Sequence, residues 1–308
     1  MIVTVTPNPS VDRTVRLEHL QRGGVIRATG ATAEAGGKGV NVARALASQG
    51  IEAVAVVPLA ADSEASYGAL LRAAVAFVPV PVAGAVRVNI SLVEPDGTVT
   101  KINEPGPYLS GAETDRLLSC VAAEAARASW VVGCGSLPPG APDDFYARLA
   151  RLRTDDRRVA IDASGAALRL ARPVDLLKPN HTELQDLVGE PLPTLGDVVR
   201  AATQLVEAGA SAAVLVSLGP AGAVHVDASG ARHAEARVDD VANSVGAGDA
   251  LLAGYLAGGG GAAALKSAVA WSVSAVRSAG TRMGAVTARD LAAVVEHDTI
   301  DLGRPLTE

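Results

Sequence analysis

Aromatic side chains make up only 3% of this 308-residue chain. Stacked rings therefore cannot fill its core, and Ala, Val, Leu and Gly must do so through helices lying close on aliphatic strands. Cysteine is almost missing as well. Cys120 and Cys134 are the only two, neither lies in a Cys-x-x-Cys pair, and both sit in apolar stretches. A disulfide framework and a cysteine-built zinc site are thereby excluded, and two buried reduced thiols are expected. Positive charge is not in excess. The formal net charge is −6, and no Lys/Arg stripe interleaved with aromatics occurs, so a nucleic-acid surface is excluded. Residues 250–265 are strongly apolar but too short and too Gly-rich to span a bilayer. The stretch from Met1 to Pro7 lacks the basic and long apolar segments of a signal peptide. A cytoplasmic protein without a membrane partner is expected. No Gly-x-x-x-x-Gly-Lys-Ser/Thr run occurs, so there is no P-loop. The five histidines, at 19, 181, 225, 233 and 297, have no metal-ligand spacing and read as structural or surface residues.

What is present alternates. Apolar β-type runs at Ile2–Thr6, Ala53–Val57, Trp130–Gly133, Val159–Asp162, Leu176–Lys178 and Ala213–Ser217 are separated by stretches of helical length and period. These are Val40–Gln49, Ala112–Ala128, Asp143–Arg153 and Leu195–Ala208. Strands buried on both faces with helical crossovers predict an α/β fold, a doubly wound, mostly parallel sheet flanked by helices. Ligands then bind at the carboxyl ends of the strands. One region breaks the alternation. Arg87–Val93, a Glu94-Pro95-Asp96-Gly97 turn and Thr98–Asn103 read as a hairpin. Val88, Ile90 and Leu92 share one face, and Arg87, Asn89 and Ser91 share the other. With strand-like Thr14–Leu17 and Val25–Thr29 it predicts a small β lid, drawn from about 12–34 and 86–105 and inserted in a single domain covering 1–308.

Four motifs carry chemistry. In Asn243-Ser244-Val245-Gly246-Ala247-Gly248-Asp249, the small residues Gly246, Ala247 and Gly248 let backbone N–H groups converge at a helix N-terminus, an anion hole. The carboxylate of Asp249 beside that hole either caps the helix or acts on whatever attacks the anion. A carboxylate at a helix N-terminus is expected to have a lowered pKa. In Gly36-Gly37-Lys38-Gly39-Val40-Asn41, paired glycines open a helix with Lys38 and Asn41 on one side of it. In Lys178-Pro179-Asn180-His181-Thr182-Glu183, Asn180 and Glu183 have the spacing of a capping box; the alternative is that Glu183 holds a hydrated Mg²⁺ near nucleotide phosphates. Ser217-Leu218-Gly219-Pro220-Ala221-Gly222 follows a strand and lets a ligand approach the backbone.

In this order, and with Thr6-Pro7-Asn8-Pro9-Ser10-Val11-Asp12 and Gly135-Ser136-Leu137-Pro138-Pro139-Gly140, the motifs resemble the ribokinase-like sugar kinases of the phosphofructokinase B type. Within them they are most similar to the 1-phosphofructokinase and tagatose-6-phosphate kinase group. The resemblance implies a ribokinase-like fold and ATP-dependent phosphorylation of a phosphosugar with Mg²⁺. It implies Asp249 as catalytic base and Gly246, Ala247 and Gly248 as the anion hole. Asp12, Gly36, Gly37, Lys38, Asn41, Arg87, Asn89 and Ser136 would hold the sugar phosphate, with Arg27 as a further phosphate ligand. Lys178, Asn180, Glu183, Ser217, Leu218, Gly219, Gly222 and Gly248 would line the ATP side. Gly-Gly-Lys-Gly and the Arg-Val-Asn-Ile strand favour fructose 1-phosphate as acceptor; tagatose 6-phosphate and fructose 6-phosphate stay open. Val86, and Pro58–Asp62 in place of glycines, depart from the pattern. The apolar face of the lid implies a homodimer through it. A nicotinamide-type oxidoreductase is disfavoured, because neither Gly133-x-Gly135 nor Gly246-x-Gly248 completes Gly-x-Gly-x-x-Gly. A non-catalytic sugar-phosphate binder on the same fold is the remaining rival.

Overall fold

In the computed structural model, which describes residues 1–241, 245–278 and 283–306, the aliphatic runs form strands because alternate side chains find apolar partners on opposite faces. Among the described residues the strands are β1 (Ile2–Val5), β2 (Ser10–Arg16), β3 (Gly30–Gly36), β4 (Ala53–Leu59), β5 (Ala76–Pro81), β6 (Arg87–Val93), β7 (Val99–Asn103), β8 (Trp130–Cys134), β9 (Arg158–Asp162), β10 (Val174–Leu177), β11 (Ser211–Ser217), β12 (Ala223–Asp227), β13 (Gly230–Ala236) and β14 (Val294–His297). The helices are α1 (Lys38–Ser48), α2 (Ala69–Arg72), α3 (Gly111–Ala125), α4 (Phe145–Ala150), α5 (Gly165–Leu170), α6 (His181–Val188), α7 (Leu195–Glu207), α8 (Ala247–Ala257), α9 (Leu265–Val276) and α10 (Ala288–Ala292).

Ten strands form one sheet in the order β14-β13-β12-β11-β10-β9-β8-β1-β4-β5. The run from β5 to β11 is parallel, and β12, β13 and β14 close the edge antiparallel. Period-2 burial divides the core. Trp130, Val132 and Cys134 pack with α1, α8 and α9 on one face, while Val131, Val159 and Ile161 pack with α3, α4 and α5 on the other. The chain winds from β1 to β4 and β5, then returns to β8 on the other side of β1. The switch point, where doubly wound sheets bind ligands, is therefore the carboxyl end of β1 and β8.

After Asp249 in its first turn, α8 is apolar all round and lies buried between neighbours from Ala250 to Leu256, as a helix stretch without a polar face must. A Cβ at Gly254 would meet Trp271 at 2.7 Å, so the missing side chain sets how closely α8 and α9 approach.

The second sheet has four strands in the order β3-β2-β6-β7. The hairpin reading of β6 and β7 is confirmed, with Ile90 opposite Ile102. The expected strand at Val25–Thr29 is not there. That segment is a loop with Val25 91% exposed, and the strand runs over 30–36 instead, where Ala31–Gly36 pairs with β2. Two adjacent apolar residues without a covering partner gave a false strand signal. Cys134 is buried as expected, but Cys120 is only half-buried, at the margin of the core against which α3 packs. No helix among the described residues is long and apolar enough to cross a membrane.

Candidate active site

The register of the small sheet builds one half of the site. Asp12 on β2 lies opposite Asn89 on β6, and Ser10 opposite Arg87 and Gly36. Ser10 Oγ donates to Asp12 Oδ1 at 2.7 Å and Asn89 Nδ2 donates to the same oxygen at 3.2 Å. Burial raises the Asp12 pKa against these hydrogen bonds. A Cβ at Gly36 would stand 2.1 Å from Asp12 Oδ2, so this glycine is required by the carboxylate it faces. Arg87 donates to the carbonyls of Glu104 at 3.0 Å and Asn8 at 3.2 Å, which pins its guanidinium between the segments that carry those two residues. Asn8, for which the sequence suggested no role, ties the pieces together. Its Nδ2 donates to Pro105 O at 3.0 Å and reaches Ser136 Oγ at 3.5 Å. Asn8 Oδ1, Asn89 Oδ1 and Arg87 Nε are buried without a partner. Buried polar atoms of this kind ask for a ligand or water rich in hydroxyl groups. Arg27 lies on the exposed loop before β3, away from these contacts.

Gly37 serves packing. Its φ of 116° suits glycine, and a Cβ there would meet Thr6 Cγ2 at 2.7 Å. It lets α1 start directly over the end of β1, with Val40 N–H donating to Thr6 Oγ1 at 3.0 Å.

The second half sits at the switch point. Gly246, left-handed at φ 84°, is the N-cap of α8, and Asp249 occupies its first turn without capping it. The carboxylate is 7% exposed and accepts from Asn41 Nδ2 at 2.8 Å. Burial and the nearby Asp162 carboxylate push its pKa up to about 6, against Lys38, Asn41 and Lys178. The lowered value expected from the helix terminus is therefore overturned, because loss of water outweighs the helix dipole. Asn243 and Ser244, the first residues of this motif, lie outside the described residues.

Asp162, at the carboxyl end of β9, is the group sequence reasoning missed. It is fully buried between two cations, with Oδ1 2.6 Å from Lys38 Nζ and Oδ2 2.9 Å from Lys178 Nζ. Burial alone would raise its pKa, but the two lysines outweigh it and hold the carboxyl below the usual range. Lys38, assigned above to the sugar, thus stands among Asp162, Glu183 (Oε1 at 3.6 Å) and Asp249; against the cost of burial these carboxylates keep it firmly protonated. Lys178 is turned inward on Asp162, beneath Gly248, whose Cβ would lie 3.6 Å from Lys178 Nζ. One local signal existed: a polar residue ending a buried strand at the ligand-binding edge of such a sheet.

On the outer side, Asn180 caps α6 and forms a complete capping box with Glu183. Glu183 Oε2 accepts from Asn180 N–H at 2.8 Å, while Oε1 faces Lys38. Ser217 N–H donates to Pro179 O at 3.1 Å, which brings the turn of Ser217, Leu218, Gly219 and Gly222 beside Asn180. A Cβ at Gly222 would meet Ala234 O at 2.1 Å, so that turn lies flat against β13. No cluster of three or more His, Cys, Asp or Glu side chains able to hold a metal occurs among the described residues. Glu183, with Oε2 used in the cap and Oε1 3.6 Å from Lys38 Nζ, offers a single carboxylate on this side, a donor set that fits Mg²⁺ keeping its waters and taking oxygen from phosphates and does not fit an all-protein cage.

The chain matches the pfkB family carbohydrate kinase over residues 5–288. It is 40% identical over 263 residues to a 1-phosphofructokinase of Rhodobacter capsulatus, a match covering 83% of this chain and 82% of that one. The crystal structure of phosphofructokinase-2 from Escherichia coli in complex with potassium aligns with a TM-score of 0.85 at 30% identity, covering 94% of this chain and 96% of that one. A ribokinase from Thermotoga maritima, 19% identical with a TM-score of 0.72 over 95% of this chain and 98% of that one, shares the fold.

Proposed function

The chain belongs to the pfkB family of carbohydrate kinases and is an ATP-dependent sugar-phosphate kinase, and from that premise we propose that it converts fructose 1-phosphate to fructose 1,6-bisphosphate with Asp249 as general base. The observation that carries the reading is the Asp249 carboxylate held by Asn41 at the N-terminus of α8, beside the Lys38–Asp162–Lys178 cluster. A carboxylate with a pKa near 6 is ionised at neutral pH and still basic enough to take a proton. The sugar hydroxyl oxygen attacks the γ-phosphorus, its proton passes to Asp249, and the bond to the leaving ADP oxygen breaks. The first N–H groups of α8, at Ala247, Gly248 and Asp249, are those a helix leaves unpaired, and they face the transferred phosphoryl charge. Lys38 adds a positive charge there. Glu183 would hold Mg²⁺ through water, and the ion would supply charge neutralisation on the nucleotide phosphates. Asp12 and Asn89 orient the sugar hydroxyls, while Arg87, Asn8 and Ser136 frame the pocket. Asn180, Ser217, Leu218, Gly219 and Gly222 line the nucleotide side.

Two expectations test this assignment. ADP release should show the highest kcat/KM with fructose 1-phosphate, ahead of fructose 6-phosphate, tagatose 6-phosphate and fructose. Preference for another phosphosugar would reassign the pocket, and turnover with none would restore the non-catalytic reading. Gly36→Ala, whose new Cβ must displace the Asp12 carboxylate, should raise KM for the sugar phosphate on the order of 10-fold or more and leave KM for ATP unchanged. An unchanged sugar KM would remove Asp12 from the sugar site.

The small sheet acts in this reading as a lid and as the face of a homodimer. Ile102 is 52% exposed and lies opposite Ile90, so an apolar strip is open to solvent on a single chain. A cytoplasmic location suits two unpaired thiols.

A further inference from the structure

Arg44 sits on α1, one turn beyond Asn41, and is 7% exposed. Its Nη2 donates to Asn41 Oδ1 at 2.8 Å and its Nη1 to Ala35 O at 3.2 Å. Asn41 thereby has its amide oxygen committed to a cation and its amide nitrogen committed to Asp249 Oδ2. A side-chain amide presents donors at one end and an acceptor at the other. With Arg44 in place only one orientation is favourable, since the reverse sets NH₂ against guanidinium and oxygen against carboxylate. The space behind this group is not closed. A cavity of about 260 Å³ runs along Arg44, Asn41, Ser48, Gly246 and Ala250, so packing does not hold the amide by itself. Ala35 is the next-to-last residue of β3, and Tyr67 Oη donates to the following carbonyl, Gly36 O, at 2.8 Å.

We propose that Arg44 is a positioning residue of the phosphoryl-transfer site: it fixes the Asn41 amide with its nitrogen toward Asp249 and ties that pair to the end of lid strand β3, next to Asp12. This rests on the reading of Asp249 as the base. It assigns Arg44 a charge-assisted hydrogen bond of the strong kind, and a consequence for acid–base behaviour that a merely structural arginine lacks. Among the described residues the groups facing Asp249 are Lys38 and Asn41 from α1, Asp162 from β9, Lys178 after β10 and Cys134 at the end of β8. None of these is removed when Arg44 changes. Without Arg44 only the Asp249 carboxylate still orients the amide, so the turned state gains population, the carboxylate has its donor for less of the time, and its protonated form gains.

The test is the kcat–pH profile of Arg44→Met and Arg44→Lys, each checked for folding by thermal melting. Arg44→Met should lower kcat on the order of 10- to 100-fold at neutral pH, move the acid limb of kcat to higher pH, and leave KM for ATP unchanged. Arg44→Lys keeps the charge but cannot hold both Asn41 Oδ1 and Ala35 O at once. It should move the limb the same way by less, and it serves as the test if Arg44→Met does not fold. An acid limb at the wild-type pH in a folded variant overturns the proposal, whatever happens to kcat. Asp249→Asn separates the two failures. If it keeps turnover, the base reading falls and this inference falls with it. If it abolishes turnover while the Arg44 variants keep the wild-type limb, only the role of Arg44 falls.

Discussion

Asp249→Asn should lower kcat on the order of 10²–10⁴-fold while making the protein more stable at neutral pH. The first effect is loss of the base. The second follows from where the charge sits. In the folded chain the carboxyl pKa is raised from 3.8 to about 6, so between those values the folded state holds a proton that the unfolded state has lost. Stability therefore falls as pH rises from below 4 to above 6, and it stays reduced at pH 7. At roughly 1.4 kcal/mol per pH unit, the displacement costs the folded state on the order of 3 kcal/mol. An amide at this position has no charge to desolvate and retains an oxygen for Asn41 Nδ2. Denaturant melts of both proteins at pH 7 and at pH 3.5 check this: the variant should lead at pH 7, and the gap should close at pH 3.5. Equal stability at both pH values would mean that Asp249 is not ionised against burial, and full turnover would remove it from the chemistry. In the unsubstituted enzyme the same ionisation should appear as an acid limb of kcat near pH 6.

Asp162→Asn should cost about 3–5 kcal/mol of stability, because it leaves Lys178, 2% exposed, as a buried cation without its counter-ion. Here the sign is opposite to that for Asp249. The folded pKa of Asp162 lies below the ordinary carboxylate value, so its contribution is complete above pH 4 and is lost as pH falls through that value and below. The penalty of the variant should accordingly shrink in acid. Its residual activity should also titrate differently. Asp162 is one of the groups that raise the Asp249 pKa, so the acid limb of kcat should move to lower pH in Asp162→Asn, opposite in direction to the Arg44 variants. Melts between pH 3 and 8 together with a kcat–pH profile read both effects. A neutral effect on stability, or an acid limb moving up, would contradict the charge arrangement drawn from β9, Lys38 and Lys178.

The parts of this molecule legible in its sequence are those whose signal is local. The parallel strands announced themselves as aliphatic runs, α1 and α8 by glycines ahead of them, and Asn180 with Glu183 by capping spacing. What escaped depends on partners distant in the chain. Asp162 reads as the end of a strand until Lys38 arrives from 124 residues away, and Arg44 reads as a helix residue until Asn41 and Ala35 are seen to share it. The Asp249 pKa could not be read from a helix start, since the deciding quantity is burial among groups brought in by α1, β8, β9 and the turn after β10. Lys38 was placed with the sugar phosphate by resemblance and by charge; the carboxylates of Asp162, Glu183 and Asp249 that surround it could not be seen from its motif. The strand expected at Val25–Thr29 failed for the converse reason: local apolar character without a partner strand. The antiparallel edge of β12, β13 and β14 is rich in Ala and His, which alternate too weakly to stand out.

The central claim is transfer of the ATP γ-phosphoryl to a sugar-phosphate hydroxyl rather than to water. Phosphorus-31 NMR of the purified protein with MgATP and fructose 1-phosphate tests it in one experiment. The account predicts that ATP signals give way to ADP together with a second phosphomonoester on the same sugar, and that inorganic phosphate stays at background. Release of inorganic phosphate without bisphosphate, or no consumption of ATP at all, would contradict it.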